Sequence, residues 1–338
     1  MDLNAIWFWL IGILIIGYAI LDGFDLGVGI LHLFARNNSE RRLHINAIAP
    51  VWDGNEVWLL TAGGALFAAF PVVYATVFSG FYIAFMLLLT ALIFRAVSME
   101  FRGKVDNNGW RRFWDWSFGL GSLLPAVLFG VAFGNILRGI PINGAAMFTG
   151  TFLGLLSPYA ILIGVLTLAL FTMHGALYLL MKTEGDLRER LKRVSTRTWV
   201  AFVVLYVIAT VATFFVSPFL FAGTMKNPVC WVLSLLLFGG VMSIPFAVSR
   251  NMYFRAFLAS SVTIAATISL SALSLFPRLV PSSIDLAYSL TAYNASSSDQ
   301  TLTTMFTIAV IGMPLVIIYS VFIYRQFKGK VMITEESY

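Results

Sequence analysis

Apolar residues fall along this chain in long blocks separated by short polar loops. A helix needs about 20 mostly apolar residues to cross the hydrocarbon core of a bilayer. Nine blocks meet that length: about 6–31, 50–71, 73–95, 115–136, 152–181, 198–221, 229–248, 254–276 and 304–325. The pattern predicts an all-α integral membrane protein with nine transmembrane helices, a single polytopic domain over residues 1–338 with no soluble domain or low-complexity tract between the blocks. The longest outer loop, about 277–303, is rich in Ser and Thr. The fifth block starts on the same side as the first, so a parallel repeat is geometrically open. It would consist of two four-helix bundles, 1–140 and 150–280, with a peripheral ninth helix and tail over 300–338. No internal sequence match supports that repeat. The first block is expected to stay in the mature chain, because it lacks a basic leader and an A-x-A site and carries two aspartates.

Composition agrees that lipid is the solvent. Hydrophobic residues make up 59% and charged residues 11%, against about 25% charged in soluble domains, and the mean hydropathy is +0.86. These values exclude a cytosolic enzyme, a secreted module and a disordered chain. A net charge of +6 would fit nucleic acid if the basic residues were scattered, but they mark one membrane face and no nucleic-acid partner is expected. Of the 22 Lys and Arg residues, all but Arg138, Lys226 and Arg278 follow the first, third, fifth or seventh block or lie in the C-terminal tail. Arg95 and the 188–197 loop are counted in that majority. The positive-inside rule then puts the N-terminus outside and the C-terminus in the cytoplasm. Trp7, Trp9 and Trp231 near outer ends, with Trp110, Trp114, Trp116 and Trp199 near inner ends, fit an aromatic belt. The single cysteine, Cys230, permits no internal disulfide and no thiolate metal cluster and reads as a small core filler.

Four carboxylates lie inside these blocks, Asp22, Asp25, Asp53 and Glu56, and Asp115 sits at a block edge. Each costs at least about 2.5–3.5 kcal/mol in hydrocarbon. The first block runs inward and the second outward, so all four share a depth in the cytoplasmic half. Each pair is spaced i,i+3 and shares a helix face. Two readings stay open on this evidence: structural carboxylates paired with Asn55, Thr61 or nearby basic residues, or a proton relay or ion site. Small residues around them, Gly23, Gly27 and Gly29 and then Gly63 and Gly64, favour close helix approach, and Gly130 with Gly134 reads as a small patch awaiting a partner helix. Among the histidines, His44 is expected to be solvated and His32 to snorkel from its helix end. His174 reads as a polar helix–helix contact in preference to a haem ligand. The 12 methionines read as packing.

The local sequences carry a further signal. LDGFDLGVG in the first block, APVWDGNEVWLLTAGGALFAAFP in the second and FSGFYIAFMLLLTALIFRAV in the third closely resemble subunit II of the bacterial cytochrome bd quinol oxidases. The likeness continues in WRRFWDWSFGLGSLLPAVLFGVAFGN, LFPRLVPSS and YNASSSDQTL and covers nearly the whole chain. The resemblance implies a subunit of an enzyme of the bacterial cytoplasmic membrane that oxidises membrane quinol, reduces dioxygen to water and draws its protons from the cytoplasm. It implies that haem b and haem d belong to subunit I, the main partner, with small single-span accessory subunits, lipid and a structural quinone as further expected components. Asp53 in WDGN matches the family's proton-path aspartate, Asp25 in DGFD is next, and Asp22 and Glu56 join them by depth. Trp58 matches a tryptophan near a dioxygen route. Glu56 departs from members that carry glutamine there. Without these motifs, a proton-coupled secondary transporter would be the favoured reading, since midplane carboxylates are also its mark.

Overall fold

The computed structural model describes residues 2–331. Their helices are α1 Leu3–His32, α2 Asn38–Ile48, α3 Trp52–Ala69, α4 Pro71–Gly80, α5 Tyr82–Phe101, α6 Asn108–Arg138, α7 Pro158–Lys182, α8 Gly185–Val216, α9 Pro228–Ser249, α10 Tyr253–Leu275 and α11 Asp299–Gln326. Two short strands, β1 Arg278–Val280 and β2 Leu290–Thr291, pair antiparallel. Eight helices among the described residues are long and apolar enough to cross a membrane. α3 is not one of them, because its first turns carry Asp53, Asn55 and Glu56.

Most expected blocks appear as helices with identifiable ends. Asn107 caps α6 through the Trp110 amide, and Ser157 caps α7 through the Ala160 amide with Pro158 at the first helical position. The third block differs: the chain breaks between Gly80 and Tyr82, giving the ten-residue α4 and then α5. Pro71 starts α4 cleanly because it needs no backbone N–H there. The 188–197 segment is not a loop but part of the first turns of α8. In the basic stretch after α1, the chain forms the short helix α2, capped by Asn37.

Helix α1 lies at the centre, packed against α3, α6, α7 and α10. Glycine makes that possible. A Cβ on Gly27 would sit 1.9 Å from the Phe171 carbonyl oxygen, and one on Gly175 would sit 2.5 Å from the Gly27 carbonyl carbon. The backbones of α1 and α7 therefore touch at a place where only hydrogen fits. Gly130 and Gly134, expected to await a partner, are instead used inside the chain against Gly164, Ala160 and Ile163 of α7. Gly63 and Gly64 meet nothing within 4 Å, contrary to the tight packing expected of them. Helix α11 leans on α1 and α3 and exposes most of its apolar length. At the end opposite the basic residues, the strands and an Ile140–Ser282 bridge close the helix bundle.

Candidate functional site

The carboxylates converge on a residue that the charge pattern assigned to a loop. Arg95 of α5 is fully buried, as are Asp22 and Asp25 of α1. Its Nη2 donates to Asp22 Oδ1 at 2.6 Å and its Nη1 to Asp22 Oδ2 at 3.2 Å, a two-pronged pairing. Nη1 also donates to Glu56 Oε1 at 3.0 Å, and Nη2 lies 4.0 Å from Asp25 Oδ2. Arg95 is thus an intramembrane partner and not part of the basic face. Such burial strips a guanidinium of water at a cost of several kcal/mol, and it persists because the paired oxygens replace that hydration.

Asp25 is held from its other side. Asn55 of α3 donates to Asp25 Oδ2 at 2.7 Å and to the Leu21 carbonyl at 3.2 Å. The Tyr324 hydroxyl of α11 donates to Asn55 Oδ1 at 2.8 Å. Asp25 Oδ1 and the Arg95 Nε have no protein partner. Four helices, α1, α3, α5 and α11, therefore contribute to one network. Glu56, 24% exposed in its side chain, forms its rim. Asp53 stands apart: it is exposed in the first turn of α3 and makes no hydrogen bond or ion pair among the described residues. The i,i+3 spacing places Asp53 beside Glu56, yet only Glu56 turns inward. Asn55, Arg95 and Tyr324 complete the network; the only sequence signal was Asn55 between the two acids.

Trp58 packs against α1 at Gly17, where an added Cβ would lie 2.2 Å from its ring. Beside it, Tyr18, Leu59 and Ala62 line an apolar cavity of about 550 Å³ that runs between α1, α3, α6, α7, α8, α9 and α10. Cys230 is half-buried on that cavity and does not fill the core as expected.

All three histidines are buried. His174 Nε2 donates to the Ile20 carbonyl at 3.0 Å, its Nδ1 hydrogen-bonds with Ser260, and its ring stacks on Phe257. It is the polar helix contact expected. His32 does not snorkel: it is buried, with Nε2 2.8 Å from Asp115 Oδ1. His44 is not solvated either. It is buried on the inner side of α2, and desolvation, aided by His32 and Arg190, pushes its pKa down to about 3. α2 is drawn onto the bundle by the Tyr178 hydroxyl, which donates to the Ala47 carbonyl at 2.9 Å. The apolar cavity has no histidine in its lining, and no metal-binding group of three His, Cys, Asp or Glu occurs among the described residues. Among the described residues, His174 is engaged by Ile20 and Ser260 and His32 by Asp115.

A family model described as cytochrome bd terminal oxidase subunit II matches residues 3–327. The cytochrome bd-I ubiquinol oxidase subunit 2 of Escherichia coli (strain K12) is 38% identical over 362 residues, covering 97% of this chain and 95% of that protein. The cytochrome bd ubiquinol oxidase subunit 2 of Bacillus subtilis (strain 168) is 38% identical over 330 residues, with 96% of each covered. In three dimensions the chain aligns with the bd oxidase from Geobacillus thermodenitrificans at a TM-score of 0.81, over 97% of this chain and 99% of that one, at 16% identity. That last likeness is one of fold. Together the matches leave the transporter reading without support. A membrane chain with a buried carboxylate network, matched over nearly its whole length in this way, belongs to the cytochrome bd terminal oxidase subunit II family.

Proposed function

We propose that this chain, as subunit II of a quinol-oxidising terminal oxidase, moves protons from the cytoplasmic face to a haem-bearing subunit I. The carrying observation is the ratio at the buried site: three carboxyls, Asp22, Asp25 and Glu56, share the one guanidinium of Arg95. One arginine balances one carboxylate. A further charge there would be unpaired in low dielectric, so the group that holds a proton and the group that releases it are set by neighbours. Asp53, exposed on α3 one turn from Glu56, is the exchange point between this network and the partner. Trp58 and the apolar cavity beside it supply a non-polar route for dioxygen, and the same cavity suits a structural quinone or lipid tail.

This reading puts the basic end in the cytoplasm, the N-terminus outside, and α3 as a ninth crossing completed by its partner. α1 to α6 form the first bundle, α7 to α10 the second, and α11 the peripheral helix. It assigns haem b and haem d to subunit I, with membrane quinol as reductant and single-span accessory subunits at the edge.

The test is Asp53→Asn in the purified complex, read as oxygen consumption per haem with the absorption spectrum as the assembly control. The substitution keeps volume and hydrogen bonding but cannot exchange a proton. Turnover is expected to fall about 10²-fold, the lower end of what a positioned proton-transfer group contributes. Near-normal turnover with intact haem bands removes Asp53 from the path.

A further inference from the structure

A second cavity opens at the basic end of the molecule, with a volume of about 460 Å³. The end of α1, the start of α2 and the start of α6 meet around it, together with Arg102, which follows α5. Its lining holds four arginines, Arg41, Arg102, Arg111 and Arg112, against one aspartate, Asp115. That aspartate is already engaged. It accepts from Arg102 Nε at 2.5 Å and from Arg41 Nη1 at 3.1 Å, and it binds His32 Nε2 at 2.8 Å. Arg102 also donates to Asn38 Oδ1 at 2.6 Å. Arg111 pairs with Asp106, which is 92% exposed in its side chain and so well hydrated. Positive charge remains in excess.

Two further observations point the same way. Asn38 and Asn108, the first residues of α2 and α6, both line the cavity. Two helix N-termini therefore converge on it, each with a positive dipole end and with the first-turn amides left over after Asn37 and Asn107 cap those of Glu40 and Trp110. Independently, His32 lines the cavity, is 1% exposed, and leaves its Nδ1 without a protein partner. With Nε2–H given to Asp115, this nitrogen is an acceptor and needs a donor, such as a water or a hydroxyl of the bound phosphate or its glycerol.

We infer that this cavity binds a phosphate group, held by the arginines and the two helix ends. Arginine suits it because its planar fork matches two phosphate oxygens at once. Leu33 and the exposed Trp116 rim the same opening, which places it where a membrane interface meets water. The phosphate can thus arrive on a lipid headgroup or free in solution. Neither source depends on the proton-transfer reading.

The experiment uses the complex with subunit I, washed free of lipid in detergent. It is titrated separately with inorganic phosphate and with short-chain phosphatidylglycerol, and binding is read by native mass spectrometry and thermal unfolding. Wild type is expected to bind one phosphate-bearing molecule at this site. Arg111→Gln with Arg112→Gln, the first half-buried and the second exposed, should weaken that binding about thirtyfold, given about 1 kcal/mol for each arginine near a charged interface, while the haem spectrum stays unchanged. Dependence on the arginines for phosphatidylglycerol identifies a lipid headgroup, and dependence for inorganic phosphate alone identifies a soluble anion. Binding that the double variant retains in full, or no binding to either probe, overturns the inference.

Discussion

Within the bilayer, one guanidinium, Arg95, answers to three carboxyls; about 10 Å further along α1, one carboxylate, Asp115, answers to His32, Arg41 and Arg102. Asp25 and His32 lie seven residues apart on one face of α1, and Arg95 and Arg102 repeat that spacing from α5. The same two stretches of chain thus build both clusters with opposite stoichiometry. Depth explains the difference. Around Arg95 the guanidinium and both aspartates are fully buried, so negative charge beyond that one cation is poorly solvated. Around Asp115 the cavity opens beside four arginines, so charge there is better solvated.

The sharpest way to break this contrast is Arg95→Gln. It leaves Asp22, Asp25 and Glu56 with no cation, and losing one partner of a buried pair costs about 3–5 kcal/mol. Haem-retaining complex should unfold at clearly lower temperature, and adding Asp22→Asn should restore part of the loss. Wild-type stability in the single variant would show that the guanidinium is not the counter-charge. At the other cluster Asp115→Asn should cost less, about 1–3 kcal/mol, because Arg41 is already 34% exposed in its side chain and water can take over. A cost equal to that of Arg95→Gln in the same unfolding assay would erase the distinction of depth.

His44 offers a third, pH-resolved test. Its folded-state pKa lies near 3, below the ordinary 6.5. Below pH 6.5 the unfolded chain binds a proton that the folded chain refuses. Stability present above that pH is therefore lost as pH falls towards 3, by up to about tenfold in the folding equilibrium per unit. His44→Gln should flatten the decline in unfolding temperature between pH 6.5 and 4; an unchanged slope would assign acid sensitivity elsewhere. Glu56→Gln should have the smallest effect. The amide keeps an oxygen for Arg95, so oxygen consumption should fall between wild type and Asp53→Asn, and a loss as deep as that of Asp53→Asn would make Glu56 an obligatory carrier.

Much of the fold was legible because lipid imposes a length on apolar runs, and eight of the nine blocks appear as long apolar helices. α5 is offset from its block because Pro71 and the break at Phe81 shift the crossing to 82–101. The close approach at Gly23 and Gly27 was also legible, since only small residues at that spacing let backbones meet. Arg95 was not. A count of basic residues by loop treats every arginine at the end of an apolar run as interfacial, and burial is decided by which helix lies opposite. His32 and His44 failed for the same reason: Asp115 lies 83 residues from His32 in sequence. The separation of Asp53 from Glu56 depends on how α3 is rotated against α1, which spacing within α3 cannot fix.

The hydrogen bond from Tyr324 to Asn55 also has a consequence for how the subunit is made. A membrane chain emerges and inserts from its N-terminus onwards, so α1, α3 and α5 are in place before α11 leaves the ribosome. Until then Asn55, which steadies Asp25, lacks its own support. Among the described helices α11 is the last to be synthesised, and it closes the network. A nascent chain therefore holds an incomplete network, its Asn55–Asp25 contact unsupported until α11 docks.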